Sequence, residues 1–309
     1  MSTPYCYGDK GGICMKVSVA RCLYGKMRNL VFSLSTIISP TLNTKLRYRY
    51  LFKRKLNLKK PETFNEKLLW LKLKKYNHDP LVIQCADKYR VRDYVKNCGY
   101  EDILVGMLGN WDSAENILWD ELPDKFVLKW NFGAGMNIVC KDKDSLDRTQ
   151  TIKQMNKWQK NKYWLSHSEM QYKYMPKKII CEEYLEYPKG DTIPDYKIYC
   201  FHGKPKAILV MHNRGKQMST EFFSTLWEPL DNSSKYATTL DTTPKPVCLE
   251  QMLQAAEKLA SPFPFVRCDF YVIGDKFYFG ELTFTPAGGM YTSETKIDGK
   301  DMTEYLNIP

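Results

Sequence analysis

The C-terminal part of the chain contains two runs of aromatic and β-branched residues separated by a short turn. These runs belong to the stretch FVRCDFYVIGDKFYFGELTFTPAGG, residues 265–289, and their composition predicts a β-hairpin. Each run carries one carboxylate near its middle, Asp269 in the first and Glu281 in the second. This hairpin constrains the fold strongly, because the register of its strands decides whether the two negative charges meet.

A three-residue turn over 274–276 predicts one particular register for the hairpin. The opposed pairs are then Ile273 with Phe277, Tyr271 with Phe279, Asp269 with Glu281, and Arg267 with Thr283. Directly opposed side chains lie about 5 Å apart, where two like charges repel each other. A bound divalent cation reverses that sign, since Mg²⁺ is held by one or two carboxylates together with substrate phosphates. A two-residue turn is the alternative, and it predicts that the acids point to opposite faces.

Length, composition and charge limit the class of protein. The chain has 309 residues, of which 43% are hydrophobic, and this length predicts two or three packed subdomains. The net charge of +11 is concentrated in residues 41–75, which hold twelve Lys and Arg residues and two acids. Such a block is typical of a solvated helical face or of a surface that binds anionic lipid, acidic glycan or nucleic acid. No nucleic-acid-binding motif is present, so a nucleic-acid partner is not expected.

Cysteine usage and hydropathy predict a cytoplasmic protein. The ten cysteines are scattered without C-x-x-C spacing, a pattern typical of reduced, buried thiols. No run reaches the roughly 18–20 apolar residues that a membrane span needs, and the best candidate, residues 30–38, is too short. We interpret residues 1–40 as a leader with a membrane-proximal segment, and the inner face of the membrane is a second expected location.

Hydrophobic periodicity and breaker residues predict an α+β arrangement, with helices first and antiparallel hairpins later. The predicted strands lie at 126–130, 137–140 and 177–186, and a hairpin over 196–213 turns at 202–204. One helix is predicted to begin near residues 63–65, and three others are predicted at 88–97, 113–123 and 250–261. Residues 213–246 are predicted to form a loop, because Ser, Thr, Asn and Pro are frequent there.

Three polar motifs interrupt or follow the predicted strands. In LKWNFGAGMNI, Lys129 precedes a glycine-bearing loop whose backbone N–H groups can hold phosphate oxygens. In ICEEYLE, Glu182 and Glu183 stand where a strand ends and free backbone groups can recognise a purine edge. In PDYKIYCF, Asp195 and Lys197 occupy alternating strand positions. Each motif taken alone is also typical of an ordinary turn or a half-exposed strand.

The order of these motifs resembles that of the ATP-grasp superfamily, which ends in an Arg-x-Asp strand followed by a Glu-x-Asn strand. The segments PETFNEKLLWLKL, ADKYRVRDYV, PDYKIYCFHGKPK and DFY…GELTFTPAGG look like the TupA-like branch, which is linked to teichuronopeptide biosynthesis. The resemblance extends over roughly residues 40–305 and implies two α+β subdomains that clasp ATP. The implied domains are the leader 1–40, a basic helical domain 41–125, a small subdomain 126–186 with the phosphate loop, and a C-terminal subdomain 187–309 with a magnesium site.

The resemblance implies a role for each matching residue. The ATP-binding residues would be Arg92, Lys129, Asn131, Gly133, Gly135, Glu182, Glu183, Tyr184, Leu185 and Asp195. Within this set, Lys129, Arg92 and the glycine loop would contact phosphates, Glu182–Leu185 would form the adenine hinge, and Asp195 would bind the ribose. The Mg²⁺ ligands would be Asp269, Glu281 and Thr283, and the catalytic cations would be Arg267 and Lys197. Asparagine is common in the superfamily where this chain has Thr283, and this leaves the number of metal ions open.

The resemblance also implies an activity. ATP-grasp enzymes are usually ligases in which a carboxylate attacks the γ-phosphate and an amine then displaces phosphate from the acyl phosphate. The expected substrates are a carboxylate-bearing saccharide or lipid-linked glycan precursor and an amine such as an amino acid, in the synthesis of a bacterial capsule, O-antigen or similar polysaccharide. The alternative enzymatic functions are a sugar kinase and a glycosyltransferase-like modifying enzyme. The alternative non-enzymatic function is a basic binding module with a decayed nucleotide site.

Overall fold

A computed structural model of the chain describes residues 19–187, 192–213, 218–231, 233, 236–237, 243–293 and 296–309. Its helices are α1 (Val19–Ile38), α2 (Pro40–Phe52), α3 (Phe64–Lys74), α4 (Pro80–Ala86), α5 (Val91–Asn97), α6 (Arg148–Gln159), α7 (Trp164–His167), α8 (Leu249–Ala260) and α9 (Met302–Tyr305). Its strands are β1 (Met107–Trp111), β2 (Phe126–Trp130), β3 (Asn137–Cys140), β4 (Ile179–Glu183), β5 (Asp195–Phe201), β6 (Lys204–His212), β7 (Ser219–Ser224), β8 (Phe265–Ile273), β9 (Lys276–Thr283), β10 (Lys296–Ile297) and β11 (Lys300–Asp301). The α+β class predicted from the sequence is confirmed.

Two antiparallel sheets form the centre of the molecule. The first has four strands in the order β1-β4-β2-β3, and the second has five in the order β7-β6-β5-β8-β9. Helix α8 packs on the five-stranded sheet and buries Met252, Ala256 and Leu259 against it. The apolar residues recur on one face of α8 at helical spacing, which is why this helix could be predicted from the sequence.

Several predicted boundaries are confirmed. Strands β2 and β3 have the predicted bounds, and α3 begins after Thr63, whose side chain forms a capping box with Glu66. Helix α5 begins at Val91 instead of Lys88, because the Asp87 carboxylate accepts hydrogen bonds from the two backbone N–H groups that follow Lys88 and holds a turn there. A side chain that satisfies backbone donors locally competes with the helix.

Two predicted segments are wrong. Residues 113–123 form two short 3₁₀ turns, not a helix, because Ile117, Trp119 and Leu122 are all buried and their spacing does not fit one helical face. The predicted loop over 213–246 contains β7, an edge strand that pairs with β6 and buries Phe222 and Phe223. Parts of this predicted loop, 214–217, 232, 234–235 and 238–242, lie outside the described residues.

The β8–β9 hairpin combines the two registers considered above. The turn has two residues, since Ile273 pairs with Lys276, and the predicted three-residue turn and its pairs Ile273–Phe277 and Tyr271–Phe279 are therefore wrong. The acids nevertheless face each other, because a β-bulge at Gly280 inserts one extra residue in β9. Beyond this bulge Asp269 pairs with Glu281, and the adjacent Arg267–Thr283 pair is also as predicted.

The N-terminal helices and the cysteines complete the comparison with the sequence. The predicted leader lies outside the described residues as far as position 18. In the described ranges, no helix combines the length and the apolar character that a membrane span would need. The seven cysteines whose side chains the structure describes are free thiols, and six of them are buried, as the sequence predicts.

Candidate active site

The first group of charged side chains lies on the four-stranded sheet and the helix beside it. Lys129 in β2 and Glu182 in β4 lie diagonally across neighbouring strands, and Lys129 Nζ donates to Glu182 Oε2 at 2.5 Å. Arg92 in α5 lies 3.5 Å from the other oxygen of Glu182 and donates to the carbonyl of Val105 at 2.8 Å. One carboxylate therefore holds together the two cations that we predict to contact phosphates.

The glycine-bearing loop between β2 and β3 is fixed at its base and open at its tip. The buried Asn131 side chain forms hydrogen bonds of 2.8 and 2.9 Å with backbone groups of the segment before β4. Gly133 has φ +66°, and a Cβ there would lie 2.7 Å from the ring of Tyr163. Gly135 has φ +72° and open space where a Cβ would be. Asn131 thus anchors the loop, and the tip at Gly135 is the part that a ligand can approach.

The predicted adenine hinge lies where β4 ends. Pairing with β2 stops at Glu183, and Tyr184 and Leu185 follow as half-buried residues outside the strand. The Glu183 carboxylate lies against Gly106, where a Cβ would overlap with it. The Glu182 carboxylate contacts the two cations described above, so a ligand that bonds to it must share it with them. The main-chain groups after Glu183 are therefore the simplest hydrogen-bonding partners for an adenine ring.

The second group of charged side chains lies on the central strands of the five-stranded sheet. Lys197 in β5 is only 4% exposed, and its Nζ lies 2.7 Å from Asp269 Oδ2 and 3.4 Å from Asp195 Oδ2. Asp195 and Asp269 are also buried. Buried charges persist when they are paired and hydrogen-bonded, and the three groups satisfy that condition together.

Arg267 and the β9 residues extend this group toward solvent. Arg267 Nε and one of its terminal nitrogens each donate to an oxygen of Asp269 at 2.6 Å, which makes the pair bidentate. The same terminal nitrogen lies 3.2 Å from the Thr283 hydroxyl and 4.0 Å from Glu281 Oε1. The Thr283 hydroxyl in turn donates to Glu281 Oε1 at 3.2 Å. All four side chains therefore share one face of the β8–β9 hairpin.

The charges of this group fix the protonation states of its central pair. Burial alone raises the pKa of the Asp269 carboxyl, but the charges of Arg267 and Lys197 outweigh it and hold that pKa below its ordinary value. Burial alone lowers the pKa of Arg267, and the Asp269 carboxylate reverses this and raises it well above its ordinary value. At neutral pH, Asp269 is therefore an anion beside a permanent cation.

Lys88 links the two groups and was not identified from the sequence. Its Nζ donates to the carbonyl of Gly133 in the glycine loop at 2.5 Å and lies 3.9 Å from Glu281 Oε2 on β9. Burial lowers the pKa of Lys88, while Glu281 opposes that shift. The motif ADKYRVR contains Lys88, but the family resemblance assigns a role only to Arg92 within it. The sequence offers no signal that distinguishes Lys88 from other lysines, because its two contacts lie far away along the chain.

A second layer of buried polar groups supports the β9 end of the site. The Thr285 hydroxyl donates to Glu169 at 2.5 Å, and burial raises the pKa of Glu169. Lys72 Nζ donates to the carbonyls of His167 at 2.8 Å and Gly288 at 3.2 Å. Burial lowers the pKa of Lys72 to about 8. These contacts join α3 and α7 to the turn Pro286–Gly289, which follows the strand that carries Glu281 and Thr283.

The oxygen atoms of the second group fit a hard divalent cation. Asp269 and Glu281 face each other with the Thr283 hydroxyl beside them, and carboxylate and hydroxyl oxygens are ligands of the type that Mg²⁺ prefers. The part of the chain that the structure describes contains no cluster of three or more His, Cys, Asp or Glu side chains suited to a metal. The protein thus offers two carboxylates and one hydroxyl, and phosphates and water must provide the other ligands.

Comparison with protein families gives one match. The model of the TupA-like ATP-grasp family matches residues 66–303, a span that contains every candidate site residue described above. A comparison with curated proteins finds no match.

Solved structures provide three examples of similar chains. They are D-alanine–D-alanine ligase from Bacillus anthracis (17% identity, 65% of this chain and 57% of that chain, TM-score 0.39), D-alanine–D-alanine ligase from Helicobacter pylori (16%, 73% and 63%, 0.37), and N5-carboxyaminoimidazole ribonucleotide synthetase from Thermus thermophilus (8%, 66% and 46%, 0.38). The present chain therefore spans less than two thirds of the length of each of these solved chains.

Proposed function

The chain belongs to the TupA-like ATP-grasp family, within the ATP-grasp ligase superfamily, and we propose that it is an ADP-forming ligase that joins a carboxylate to an amine. The observation that carries this proposal is the face of the β8–β9 hairpin. There Asp269 lies opposite Glu281, Arg267 is bidentate to Asp269, and Lys88 connects Glu281 to the glycine loop. Facing acids surrounded by cations suit a bound nucleotide and its metal better than they suit a purely structural hairpin.

ATP is proposed to lie between the two sheets. Main-chain groups after Glu183 would receive the adenine, and Asp195 is the candidate for the ribose hydroxyls. Lys129 and Arg92 would share their charge between Glu182 and the phosphates. The tip of the loop at Gly135 would cover the phosphates with its backbone N–H groups, because it has positive φ and open space beside it.

Asp269, Glu281 and Thr283 are the proposed ligands of Mg²⁺. When bound, Mg²⁺ would neutralise and orient the phosphate oxygens during transfer of the phosphoryl group. Lys88 and Lys197 would then be released in part from Glu281 and Asp269 and would turn their charge toward the phosphates. Small rotations suffice for this change, because the four long cationic side chains already lie beside carboxylates of the site: Arg92, Lys129, Lys88 and Lys197.

The proposed reaction has two steps. An acceptor carboxylate attacks the γ-phosphorus of ATP, the bond to the β-phosphate oxygen breaks, and an acyl phosphate and ADP form. The amine then attacks the acyl carbon, loses a proton, and expels inorganic phosphate. Arg267 is placed to stabilise the negative charge that develops on the acyl oxygen, a task that needs a fixed cation and no proton transfer. Its bidentate bond to Asp269 holds the guanidinium in position.

The proposed acceptor is a carboxylate-bearing saccharide or a lipid-linked glycan precursor, and the amine is an amino acid or a related compound. The setting is the synthesis of a bacterial surface polysaccharide, at the cytoplasmic side of the membrane. Residues 41–75, with twelve basic residues and two acids, would hold the enzyme near such a polyanionic product. These substrates follow from the branch of the family that the motifs resemble.

Product analysis tests the proposed function. The purified chain is incubated with Mg-ATP, a uronic-acid-bearing saccharide and a mixture of amino acids, and nucleotides and products are identified by chromatography and mass spectrometry. We expect ADP together with a product whose mass corresponds to an amide, and both should disappear in Glu281→Gln. The matched control is Glu257→Gln, which changes an exposed glutamate of α8 that pairs with Lys204 of β6, and it should keep wild-type activity.

Other products would change the assignment. ADP with a phosphorylated saccharide would replace the ligase with a sugar kinase. Transfer of a sugar from a nucleotide sugar would support the glycosyltransferase-like alternative. Absence of both ATP binding and turnover would contradict an active nucleotide site and leave a basic binding module.

A further inference from the structure

The first two helices carry most of the large apolar side chains that are exposed to solvent. Of the 18 such side chains in the described part of the chain, 12 lie between positions 23 and 51. They are Leu23, Tyr24, Met27, Leu30, Val31, Leu34, Ile37, Ile38, Leu42, Leu46, Tyr50 and Leu51. A patch of this kind on a protein surface usually marks an interaction site.

Helix α1 is anchored on one side and apolar on the other. Its inner face is fixed by Thr36, whose hydroxyl donates to the carbonyl of Leu165 at 2.8 Å and lies 3.1 Å from the Ser168 hydroxyl. The outer face repeats apolar residues at positions 23, 27, 30, 34 and 37, a spacing of four and three that forms one stripe along a helix. Ile38, at the end of the helix, is 77% exposed. Solvent thus meets the face that a helix normally buries.

A groove between α1 and α2 continues this apolar surface. It has a volume of about 500 Å³ and is lined by Met27, Val31, Leu46 and Tyr50, with Arg28 and Arg49 among its lining residues. An apolar groove with arginines in its walls can accept a molecule that is apolar at one end and anionic at the other.

The charge around the patch has a single sign. Residues 10–61 contain no Asp or Glu, and residues 19–61 contain eleven Lys and Arg. Two copies of this face brought together would place these cations against each other without an acid to pair with them, which disfavours self-association. The segment 1–18 holds two lysines and one aspartate, so its charged side chains also sum to a positive value. An anionic partner is therefore the occupant that the charge selects.

Two arginines at the inner end of the patch have unsatisfied donors. Within the described residues, the buried Nε atoms of Arg28 and Arg47 have no hydrogen-bond partner. Both side chains line a smaller cavity of about 170 Å³, together with His167, Ala287 and Met290. The pKa of Arg47 is lowered to about 10, mainly by burial and then by the positive charge of Arg28. This shift indicates that the two cations lack sufficient counter-charge. A phosphate oxygen would satisfy both the donors and the charge.

We propose that α1 and α2 form a docking surface for an anionic phospholipid bilayer. The apolar stripe of α1 enters the boundary between head groups and acyl chains, and the lysines and arginines around it contact lipid phosphates. This surface shares α2 with the basic block 41–75 but does not include α3, in which Glu66 and Lys72 are buried. The proposal does not depend on the ligase chemistry, since it rests on exposure and charge outside the candidate active site.

The docking surface lies close to one end of the candidate active site. Ala287 belongs to the turn Pro286–Gly289, which begins three residues after Thr283, and it lines the same cavity as Arg28 and Arg47. A bilayer held by α1 and α2 would therefore lie beside this turn. If the proposed function is correct, that position suits an acceptor carried on a lipid.

Vesicle sedimentation of the full chain tests the docking surface. The vesicles consist of phosphatidylcholine alone or of phosphatidylcholine mixed with phosphatidylglycerol. We expect binding to the mixed vesicles, a decrease as salt is added, and little binding to the neutral ones. The variant Met27→Gln/Leu30→Gln/Leu34→Gln should lower the partition coefficient at least about tenfold, and Lys45→Gln/Arg49→Gln should lower it and weaken its salt dependence.

Matched variants and a second readout separate the outcomes. Leu118→Gln/Leu226→Gln/Val247→Gln removes three apolar side chains that are also exposed but lie elsewhere, and it should bind vesicles like the wild type. Equal binding to neutral and anionic vesicles, no binding to either, or wild-type binding by the α1 variant would each overturn the proposal. Light scattering that shows a dimer dissociated by the α1 substitutions would also overturn it, because the face would then join two copies of this chain.

Discussion

Asp269 and Glu281 face each other across one hairpin, yet they differ in burial and therefore in how much each contributes to the stability of the fold. Asp269 has a side chain only 5% exposed and is bonded to Lys197 and Arg267, which are 4% and 14% exposed, whereas the Glu281 side chain is 37% exposed. Removing one partner of a buried charge network leaves the other charges uncompensated, and this costs about 3–5 kcal/mol. Partly exposed ion pairs contribute at most about 1 kcal/mol.

We predict that the two acids can be separated by stability measurements. Asp269→Asn should lower the free energy of unfolding by about 3–5 kcal/mol, whereas Glu281→Gln should change it by less than about 1 kcal/mol. Both substitutions should abolish ATP turnover. Urea denaturation and an ADP-release assay measure the two effects. Equal destabilisation by the two substitutions would show that the burial difference has no energetic meaning.

Lys88 gives a prediction about nucleotide binding. Its amine joins the carbonyl of Gly133 to the Glu281 carboxylate, so Lys88→Met removes the cation that connects the glycine loop to the metal site. We expect the Kd for Mg-ATP to rise at least about tenfold, consistent with the loss of a hydrogen bond to a charged group. Lys96→Met, which removes an exposed lysine paired with Glu101, is the control and should bind normally. Isothermal titration calorimetry makes the comparison, and unchanged binding by Lys88→Met would exclude this role.

Lys72 gives a prediction about pH. Its pKa is about 8 in the folded chain and 10.5 as an ordinary value, so between these values the unfolded state binds more protons than the folded state. The free energy of unfolding should therefore rise with pH across this window, by up to about 3 kcal/mol from Lys72 alone. Urea denaturation of the wild type and Lys72→Met at several pH values isolates this contribution. The difference between the two proteins should change between pH 8 and 10, and parallel curves would contradict the low pKa.

At the scale of elements, the Gly280 bulge aligns the active-site face. It lets a two-residue turn and a facing pair of acids coexist, because one extra residue in β9 restores the alternation of side chains. A Cβ at Gly280 would lie 2.9 Å from the backbone oxygen of Asp269, closer than side chains normally approach. Only glycine fits this position without a shift of one strand.

Substitution of this glycine should affect stability and catalysis together. Gly280→Ala must displace β9 from Asp269 and move Glu281 and Thr283, so we expect a loss of about 1–3 kcal/mol in stability and at least about a hundredfold lower turnover. The control is Gly25→Ala in α1, where the Cβ meets open space and alanine favours the helix. Thermal unfolding and ADP release are the readouts. Wild-type behaviour of Gly280→Ala would mean that the bulge is not needed.

Local patterns predict the elements of this protein better than their connections. The strands that carry Lys129, Lys197 and Asp269 follow from runs of aromatic, aliphatic and β-branched residues, and helix α8 follows from helical spacing. The bulge could not be predicted, because Gly280 resembles an ordinary strand glycine until the close approach of Asp269 is known. The strand β7 was missed for a related reason, since its Thr and Ser residues resemble a loop until Phe222 and Phe223 are seen to be buried.

At the scale of the whole molecule, the candidate site depends on contacts between distant parts of the chain. Lys88 precedes the first sheet along the chain, Gly133 lies in a loop between two strands of that sheet, and Glu281 lies in the second sheet. The Lys88 amine nevertheless contacts both Gly133 and Glu281. No local pattern can reveal such a contact, and the resemblance to a family gave the two ends without the link. The functional roles of these residues are predictions that the variants above test, and the division into four domains stays a prediction.

The central claim is that the facing acids of the β8–β9 hairpin bind ATP together with Mg²⁺. The most direct measurement is calorimetric titration of a non-hydrolysable ATP analogue into the wild type and Glu281→Gln, with Mg²⁺ and with chelator. Glu281→Gln is the suitable variant because we expect it to stay folded. The wild type should bind the analogue at least about tenfold more tightly with Mg²⁺, and Glu281→Gln should lose that difference. Binding that is independent of Mg²⁺ in the wild type, or an equal Mg²⁺ effect in both proteins, would contradict the claim.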